Sequence, residues 1–148
     1  MVECLEYLHE EEQIVHRDLK LENIMLDENY DLKIVDFGGC SAQKDNEITS
    51  LTSYTGTQSY MAPEIREGKV YSGTQVDLFS VGVILFILAQ SRFPFQTSST
   101  SNYYYNLLIS GNTKEYFSEL DPEDSLTDDF KSLFLSLVSY DPTKRCTL

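Results

Sequence analysis

The chain has 148 residues, the usual size of one domain, and its 24 acidic and 11 basic residues give a formal net charge of −13. This charge argues against a nucleic-acid-binding protein, because such proteins present a basic patch or stripe. It argues equally against docking on an anionic membrane surface, so an acidic domain with neither partner is predicted.

The cysteines and the apolar segments indicate the compartment. Cys4, Cys40 and Cys146 lie far apart without metal-ligand spacing, which favours reduced thiols over disulfides. The first residues lack the basic start and the apolar run of a signal peptide. The most apolar stretch, residues 81–89, is too short to span a bilayer and is interpreted as part of a buried helix. These features predict a cytoplasmic protein, and they are compatible with the nucleus as well.

The first part of the chain is predicted to contain a helix, a hairpin and a long loop. Apolar residues between positions 2 and 8 have roughly helical spacing. Two short apolar runs, 24–26 and 32–35, flank a polar turn and predict a β-hairpin. Residues 39–59 are rich in Ser and Thr and predict a loop, and a loop of this length inside a compact domain is usually functional.

The second part is predicted to be helical. Residues 77–90 are apolar nearly all round, which is typical of a central buried helix. Residues 102–110 predict a further helix closed by glycine, and residues 127–140 predict one with a single apolar face. Residues 115–129 hold seven acidic residues and no basic one, and are interpreted as a solvated surface. A mainly α-helical fold with one small β-hairpin is therefore predicted.

Three motifs occur in order along the chain. The segment His16-Arg17-Asp18-Leu19-Lys20-Leu21-Glu22-Asn23 matches the kinase catalytic-loop pattern H-R-D-L-x-x-x-N without a gap. Asp36-Phe37-Gly38 and then Ala62-Pro63-Glu64 follow at compatible spacing, which chance does not explain. The chain therefore resembles the C-terminal lobe of a eukaryotic protein kinase of the serine/threonine type. The resemblance covers residues 1–148 and implies a kinase-like C-lobe fragment.

The resemblance implies which residues transfer the phosphoryl group. Asp18 is implied as the base that orients the substrate hydroxyl, and Lys20 as the cation that offsets charge on the transferring phosphate. Thr57 is implied to hydrogen-bond both of them and to be catalytic with them. Lys20 and Thr57 are typical of serine/threonine kinases, so a protein substrate with a Ser or Thr acceptor is implied. Glu22 aligns with an acid that selects a basic residue before the acceptor, and a modest basic preference is expected.

The cofactors implied by the resemblance are ATP and Mg²⁺. Asn23 and Asp36 supply hard oxygen ligands, and Mg²⁺ usually takes only one or two such ligands from protein. Lys20, Asn23 and Asp36 are implied to contact the phosphates and the metal. Met25 is implied to lie beneath the adenine.

The resemblance also implies a regulatory segment, residues 36–64. Ser53 aligns with the usual primary phosphosite, and Thr52 and Thr55 are neighbours that could replace it. A phosphate at this position would pair with Arg17, because a guanidinium grips phosphate bidentately.

Further residues are implied to be structural. His16 is a packing residue and Phe37 is a hydrophobic switch next to the metal ligand. Asp77 is implied to anchor the backbone of the catalytic loop, and Glu64 to pair with Arg145. Residues 60–64 are implied to form the floor for the substrate residue that follows the acceptor.

Two functional hypotheses follow. A whole kinase domain carries an N-lobe with a Gly-rich loop, a lysine on its third strand and a helix glutamate, and this sequence shows none of these motifs. The first hypothesis is an ATP-dependent serine/threonine kinase, present as a C-lobe that alone is expected to have no more than trace activity. The alternative is a non-catalytic kinase-lobe module that binds substrates or regulators.

Overall fold

A computed structural model describes residues 1–42, 51 and 53–148, and it is mainly helical, as the sequence predicts. The helices are α1 (Val2–Glu6), α2 (Pro63–Arg66), α3 (Gly73–Gln90), α4 (Tyr103–Ile109), α5 (Thr113–Leu120) and α6 (Asp128–Leu137). The strands are β1 (Ile14–Val15), β2 (Ile24–Leu26), β3 (Leu32–Ile34) and β4 (Ser41–Ala42). Helix α1 continues into a wider turn over Tyr7–Glu11, which ends the opening helix among the acidic residues.

The predicted hairpin is confirmed. Strands β2 and β3 pair antiparallel, with Ile24 opposite Ile34 and Leu26 opposite Leu32. The carboxylate of Asp27 stabilises the turn between them, because it accepts the backbone N–H groups of Asn29 at 2.8 Å and Asp31 at 3.0 Å.

A second pair of strands was not predicted. Strands β1 and β4 pair antiparallel, with Ile14 opposite Ala42 and Val15 opposite Ser41. Strands of two residues are too short to show the alternation by which strands are recognised in a sequence. The pair brings the chain just before the catalytic loop next to the chain just after Asp36-Phe37-Gly38.

Helix α3 is the centre of the core. It begins at Gly73, four residues before the predicted start, and most of its side chains are buried. A Cβ atom at Gly73 would lie 2.5 Å from the side chain of Val15, so glycine lets α3 approach β1 closely. The helix is apolar nearly all round, and β1, α6 and Tyr116 of α5 pack against it.

Helix α3 also bears on the membrane question. It has 18 residues rather than the nine of the apolar stretch alone, so by length and composition it could cross a membrane. However, 61% of this helix is buried inside the fold, as in a core helix, which makes it weak support for a span.

Helix α5 corrects the prediction for residues 115–129. The acidic segment was interpreted as a solvated surface, yet its first part is helical, with Tyr116 and Leu120 fully buried. The ring of Tyr116 stacks on Phe134 of α6, with centroids 6.0 Å apart, and both rings pack against Phe86 of α3. The acidic residues around them made Tyr116 and Leu120 hard to recognise in the sequence as an apolar i, i+4 pair that faces the core.

Candidate active site

The backbone of the catalytic loop is anchored on α3. One oxygen of Asp77 accepts the N–H of His16 at 2.8 Å, and the other accepts the N–H of Arg17 at 2.7 Å. Asp77 is fully buried, and Arg17 has a left-handed backbone with φ of 68°. The predicted contact is therefore present, and it holds an unfavourable backbone conformation directly before Asp18.

His9 also belongs to this anchor, and sequence reasoning missed it. Its Nε2 atom lies 2.8 Å from the carboxylate of Asp77, and its ring is buried. His9 lies in the wide helical turn of Tyr7–Glu11 that follows α1. No short pattern in the sequence shows this contact across 68 positions.

Asp18, Lys20 and Thr57 form one hydrogen-bonded cluster. One carboxylate oxygen of Asp18 accepts both the N–H and the hydroxyl of Thr57, each at 2.9 Å. The other accepts the ammonium of Lys20 at 2.9 Å, and this ammonium also lies 3.3 Å from the Thr57 hydroxyl. The predicted contacts of Thr57 with both residues are present, so the Asp18 carboxylate has a fixed orientation.

The charge on Lys20 follows from this cluster. The hydrogen bond to Asp18 is the main cause that raises the pKa of Lys20 above its ordinary value, although partial burial opposes it. Lys20 therefore stays cationic at neutral pH and can offset negative charge beside Asp18.

Gly56 lets Thr57 approach Asp18. Its φ of +114° lies in the region that favours glycine, and a Cβ atom there would lie 2.8 Å from the carbonyl oxygen of Arg17. Real Cβ atoms essentially never come this close to a backbone oxygen. The chain can therefore turn towards the carboxylate only with glycine at this position.

The two implied metal ligands lie on either side of the hairpin. Asn23 is buried, and its amide nitrogen donates to the backbone carbonyl of Asp18 at 2.9 Å. Its amide oxygen is therefore the atom that can coordinate a cation. Asp36 is exposed, has a left-handed backbone with φ of 63° and accepts the N–H of Gly38 at 3.3 Å. Such a conformation costs of order 1–3 kcal/mol and is often found at functional sites.

Asn23 and Asp36 fit a Mg²⁺ ion better than a metal ion whose ligands all come from protein side chains. Within residues 1–42, 51 and 53–148, no three His, Cys, Asp or Glu side chains form a metal-binding cluster. One amide oxygen and one carboxylate are the kind of partial set that Mg²⁺ takes from protein when phosphates and water complete its shell.

His16 and Phe37 connect the catalytic loop to the metal-ligand motif. The buried His16 ring meets the Phe37 ring edge to face, with centroids 5.3 Å apart. Its Nε2 atom lies 3.1 Å from the carbonyl oxygen of Val35. His16 is fully buried, whereas Phe37 is 47% exposed, and its role as a hydrophobic switch stays a prediction.

Arg17 contacts the implied phosphosite. Its guanidinium donates to the hydroxyl of Ser53 at 3.0 Å, and to the backbone carbonyls of Gly39 at 2.7 Å and Cys40 at 3.2 Å. Tyr71 donates from its hydroxyl to the Ser53 carbonyl at 3.2 Å. Ser53 is therefore held next to the Arg17 guanidinium by two contacts, one through its hydroxyl and one through its carbonyl.

The other implied regulatory residues differ from Ser53. Thr52 lies outside the described residues. Thr55 is half-buried, and its methyl group faces Gly39.

Burial raises the pKa of the Cys40 thiol to about 11, so this neighbour of Arg17 is an uncharged thiol at neutral pH.

Glu64 and Arg145 form the predicted ion pair, and it is buried. The two guanidinium nitrogens donate to the two carboxylate oxygens at 2.6 and 2.8 Å. Arg145 also donates to the carbonyls of Ser139 and Gln75, and its guanidinium lies 5.0 Å from the centroid of the Phe79 ring. This ion pair connects the start of α2 to the segment that follows α6.

The implied adenine contact stays a prediction. Met25 lies on β2 and is 53% exposed, and Leu26 beside it is exposed as well. Ile24 is half-buried against the core. The hairpin therefore presents an apolar strip next to the catalytic loop.

Comparison with known proteins identifies the family. The protein kinase domain family matches the chain over residues 1–148. The chain belongs to the protein kinase domain family.

Similar proteins share the catalytic class in their names. The chain is 34% identical over 148 residues to "Serine/threonine-protein kinase SIK2" of Gallus gallus, covering 100% of this chain and 17% of that protein. It is 35% identical over 145 residues to "SNF1-like protein kinase ssp2" of Schizosaccharomyces pombe, covering 98% of this chain and 23% of that protein. It is 40% identical over 107 residues to "Carbon catabolite-derepressing protein kinase" of Saccharomyces cerevisiae, covering 72% of this chain and 16% of that protein. The chain thus spans less than a quarter of the length of each of these relatives.

Proposed function

We propose that the chain is the C-terminal lobe of an ATP-dependent protein serine/threonine kinase, which transfers a phosphoryl group from ATP to a Ser or Thr hydroxyl. The observation that carries this proposal is the cluster of Asp18, Lys20 and Thr57 next to Asn23. Membership of the protein kinase domain family and the names of the relatives support it.

The cluster suits proton transfer from a hydroxyl. Asp18 accepts or orients the proton of the acceptor hydroxyl, and Thr57 keeps the carboxylate in place through two hydrogen bonds. Lys20 is cationic and lies within hydrogen-bond distance of Asp18, where it offsets charge that develops on the transferring phosphate. Positioning and charge neutralisation are most of what phosphoryl transfer needs from a protein.

Asn23 and Asp36 would hold Mg²⁺ through their side-chain oxygens, and Lys20 would contact the phosphates. Bound Mg²⁺–ATP supplies the phosphoryl group and neutralises the charge on its phosphates. The exposed side chain of Met25 would pack beneath the adenine.

Ser53 is the proposed site of activating phosphorylation, with Thr52 and Thr55 as alternatives. The existing hydrogen bond from Arg17 to the Ser53 hydroxyl supports this choice, because the guanidinium already lies next to the oxygen that would carry the phosphate.

The proposed partner is a protein with a Ser or Thr acceptor. A net charge of −13 argues against nucleic acid and against an anionic membrane as partners. A cytoplasmic location is proposed with them, and the nucleus is compatible with the same observations.

The experiment is a kinase assay on the product of the complete reading frame that encodes this chain. We expect Mg²⁺-dependent phosphorylation of Ser or Thr peptides, and loss of that activity in Asp18→Asn. The exposed Asp31 provides a matched control, and Asp31→Asn should leave activity unchanged. Phosphate transfer that survives Asp18→Asn would contradict the proposal. An inactive wild type that still captures Ser/Thr peptides would favour the non-catalytic module instead.

A further inference from the structure

Two buried hydroxyls form hydrogen bonds with the backbone of the segment between Thr57 and α2. Ser80 of α3 donates to the carbonyl of Tyr60 at 3.0 Å, and Ser98 donates to the carbonyl of Met61 at 2.6 Å. Ser80 is 7% exposed and Ser98 is 2% exposed. Two consecutive carbonyls thus accept hydrogen bonds inside the protein from two different parts of the chain.

These hydroxyls matter because a buried carbonyl without a partner is costly. The segment lies between a turn, closed by the bond from the Tyr60 N–H to the Thr57 carbonyl at 2.9 Å, and the start of α2 at Pro63. Its buried Tyr60 and Met61 carbonyls therefore depend on side-chain hydroxyls rather than on helix or sheet partners.

Ser98 has a fixed position relative to the core. It belongs to the segment of residues 91–101, in which the buried ring of Phe95 packs on Phe79 and Tyr105, with centroids 5.9 and 4.9 Å apart. The same segment also contacts Tyr60, because the ring of Phe93 meets the Tyr60 ring with centroids 5.4 Å apart. Residues 91–101 therefore brace both Tyr60 and Met61.

The braced segment lies directly beside the reactive carboxylate. Asp18, Thr57, Tyr60, Met61 and Ser80 line one small cavity. If the acceptor hydroxyl of a peptide reaches Asp18, the residue next to the acceptor is expected to lie near this segment, as the family resemblance implies for residues 60–64. The shape of the Tyr60–Met61 backbone would then bear on which neighbouring residue is accepted.

We propose that Ser98 is a positioning residue for the substrate: its hydroxyl sets the Tyr60–Met61 backbone and thereby the selectivity for the residue that follows the acceptor. This inference rests on the proposed kinase function. Asp18 is held by the N–H and the hydroxyl of Thr57, and not by Ser98. Loss of the Ser98 hydroxyl should therefore change peptide recognition more than the chemical step.

The test uses the product of the complete reading frame with Ser98→Ala, Ser98→Thr and the exposed control Ser101→Ala. For Ser98→Ala we expect KM for the peptide to rise about 3- to 10-fold, as loss of one buried hydrogen bond implies. The KM for ATP should stay unchanged, and a peptide array varied after the acceptor should show a flattened preference. Ser98→Thr keeps the hydroxyl and should restore the preference, while Ser101→Ala should match wild type.

An unchanged array profile in Ser98→Ala, or equal rises in both KM values, would overturn the inference. If Ser98→Ala does not fold, the same array on Ser98→Cys decides, because a thiol fills nearly the same space but is a much weaker hydrogen-bond donor to the Met61 carbonyl. A wild-type profile there would overturn it too. A wild type that phosphorylates no Ser or Thr peptide would instead overturn the proposed function, so the two failures are distinguishable.

Discussion

Glu64 and Arg145 lie 81 positions apart in the chain, yet they form two hydrogen bonds of 2.6 and 2.8 Å inside the protein. Removal of one partner is costly in a buried ion pair, whereas an exposed pair is worth little. This pair is buried, because the Arg145 side chain is inaccessible and Glu64 is nearly so.

The first prediction follows from this burial. Glu64→Gln and Arg145→Met should each lower the free energy of unfolding by roughly 3–5 kcal/mol, because each leaves a buried charge without its partner. The measurement is urea unfolding. The neighbouring exposed Lys144 provides the control, and Lys144→Met should change stability by less than about 0.5 kcal/mol. Equal small effects in all three variants would show that the pair contributes little.

The second prediction concerns Gly56. Gly56→Ala should reduce kcat strongly, because the added methyl group meets the carbonyl of Arg17 and moves Thr57 away from Asp18. The control is Gly68→Ala, since Gly68 also has a positive φ, of 64°, but open space around it. This control should cost about 1 kcal/mol of stability and leave kcat unchanged. Equal kcat values for the two variants would contradict the prediction.

The third prediction concerns Ser53 and Arg17. Phosphorylation of Ser53 should stabilise the protein by about 0.5–1 kcal/mol, because the partly exposed guanidinium already contacts the serine hydroxyl. Thermal melting of matched phosphorylated and unphosphorylated samples measures this. The gain should shrink in Arg17→Lys, which cannot grip phosphate bidentately. A gain that persists unchanged in Arg17→Lys would mean that another group binds the phosphate.

The fourth prediction concerns Asp121 at low pH. Burial alone would raise the pKa of Asp121, but hydrogen bonds from the Ser125 hydroxyl, the Leu126 and Ser125 N–H groups and Lys131 outweigh it and lower the pKa to about 2. The folded-state pKa is thus below the ordinary value of 3.8. The ionised carboxylate therefore stabilises the fold above about pH 4, and this contribution is lost as the pH falls towards 2.

The fourth prediction is tested by denaturant unfolding between pH 5 and pH 2.5. Asp121→Asn should remove part of the slope of stability against pH in this window, and the exposed Glu123→Gln should not. Parallel curves for wild type and Asp121→Asn would contradict the pKa assignment.

The residues near the Asp18 carboxylate were predictable because they lie in motifs that resemble those of protein kinases. Asp18 and Lys20 belong to the catalytic-loop motif, and Thr57 was recognised from its place after Gly56. The hairpin and α3 were predictable in kind because long or regular apolar patterns indicate them. The start of α3 at Gly73 was not predicted, because its first turn is more polar than the rest of the helix.

The missed features depend on tertiary contacts. Helix α5 was not recognised because Glu115 and Glu119 lie on its outer face, where the Tyr103 hydroxyl lies within hydrogen-bond distance of both carboxylates. His9 was missed because its bond to Asp77 spans 68 positions of the chain. Ser98 was missed because a buried serine in a loop cannot be distinguished from an exposed one by its neighbours in the chain.

The short pairing of β1 with β4 has a consequence for how the site assembles during folding. It closes residues 16–40 into one local loop, which contains Asp18, Lys20, Asn23 and Asp36 but leaves Thr57 outside. Closure of such a loop costs less entropy than the long-range docking of Thr57, so the half of the site that contains Asn23 and Asp36 should become ordered first. Pulsed hydrogen exchange during refolding should protect the β2–β3 amides before the Thr57 amide. The Asp18 carboxylate would then acquire its final orientation only in the last stage of folding.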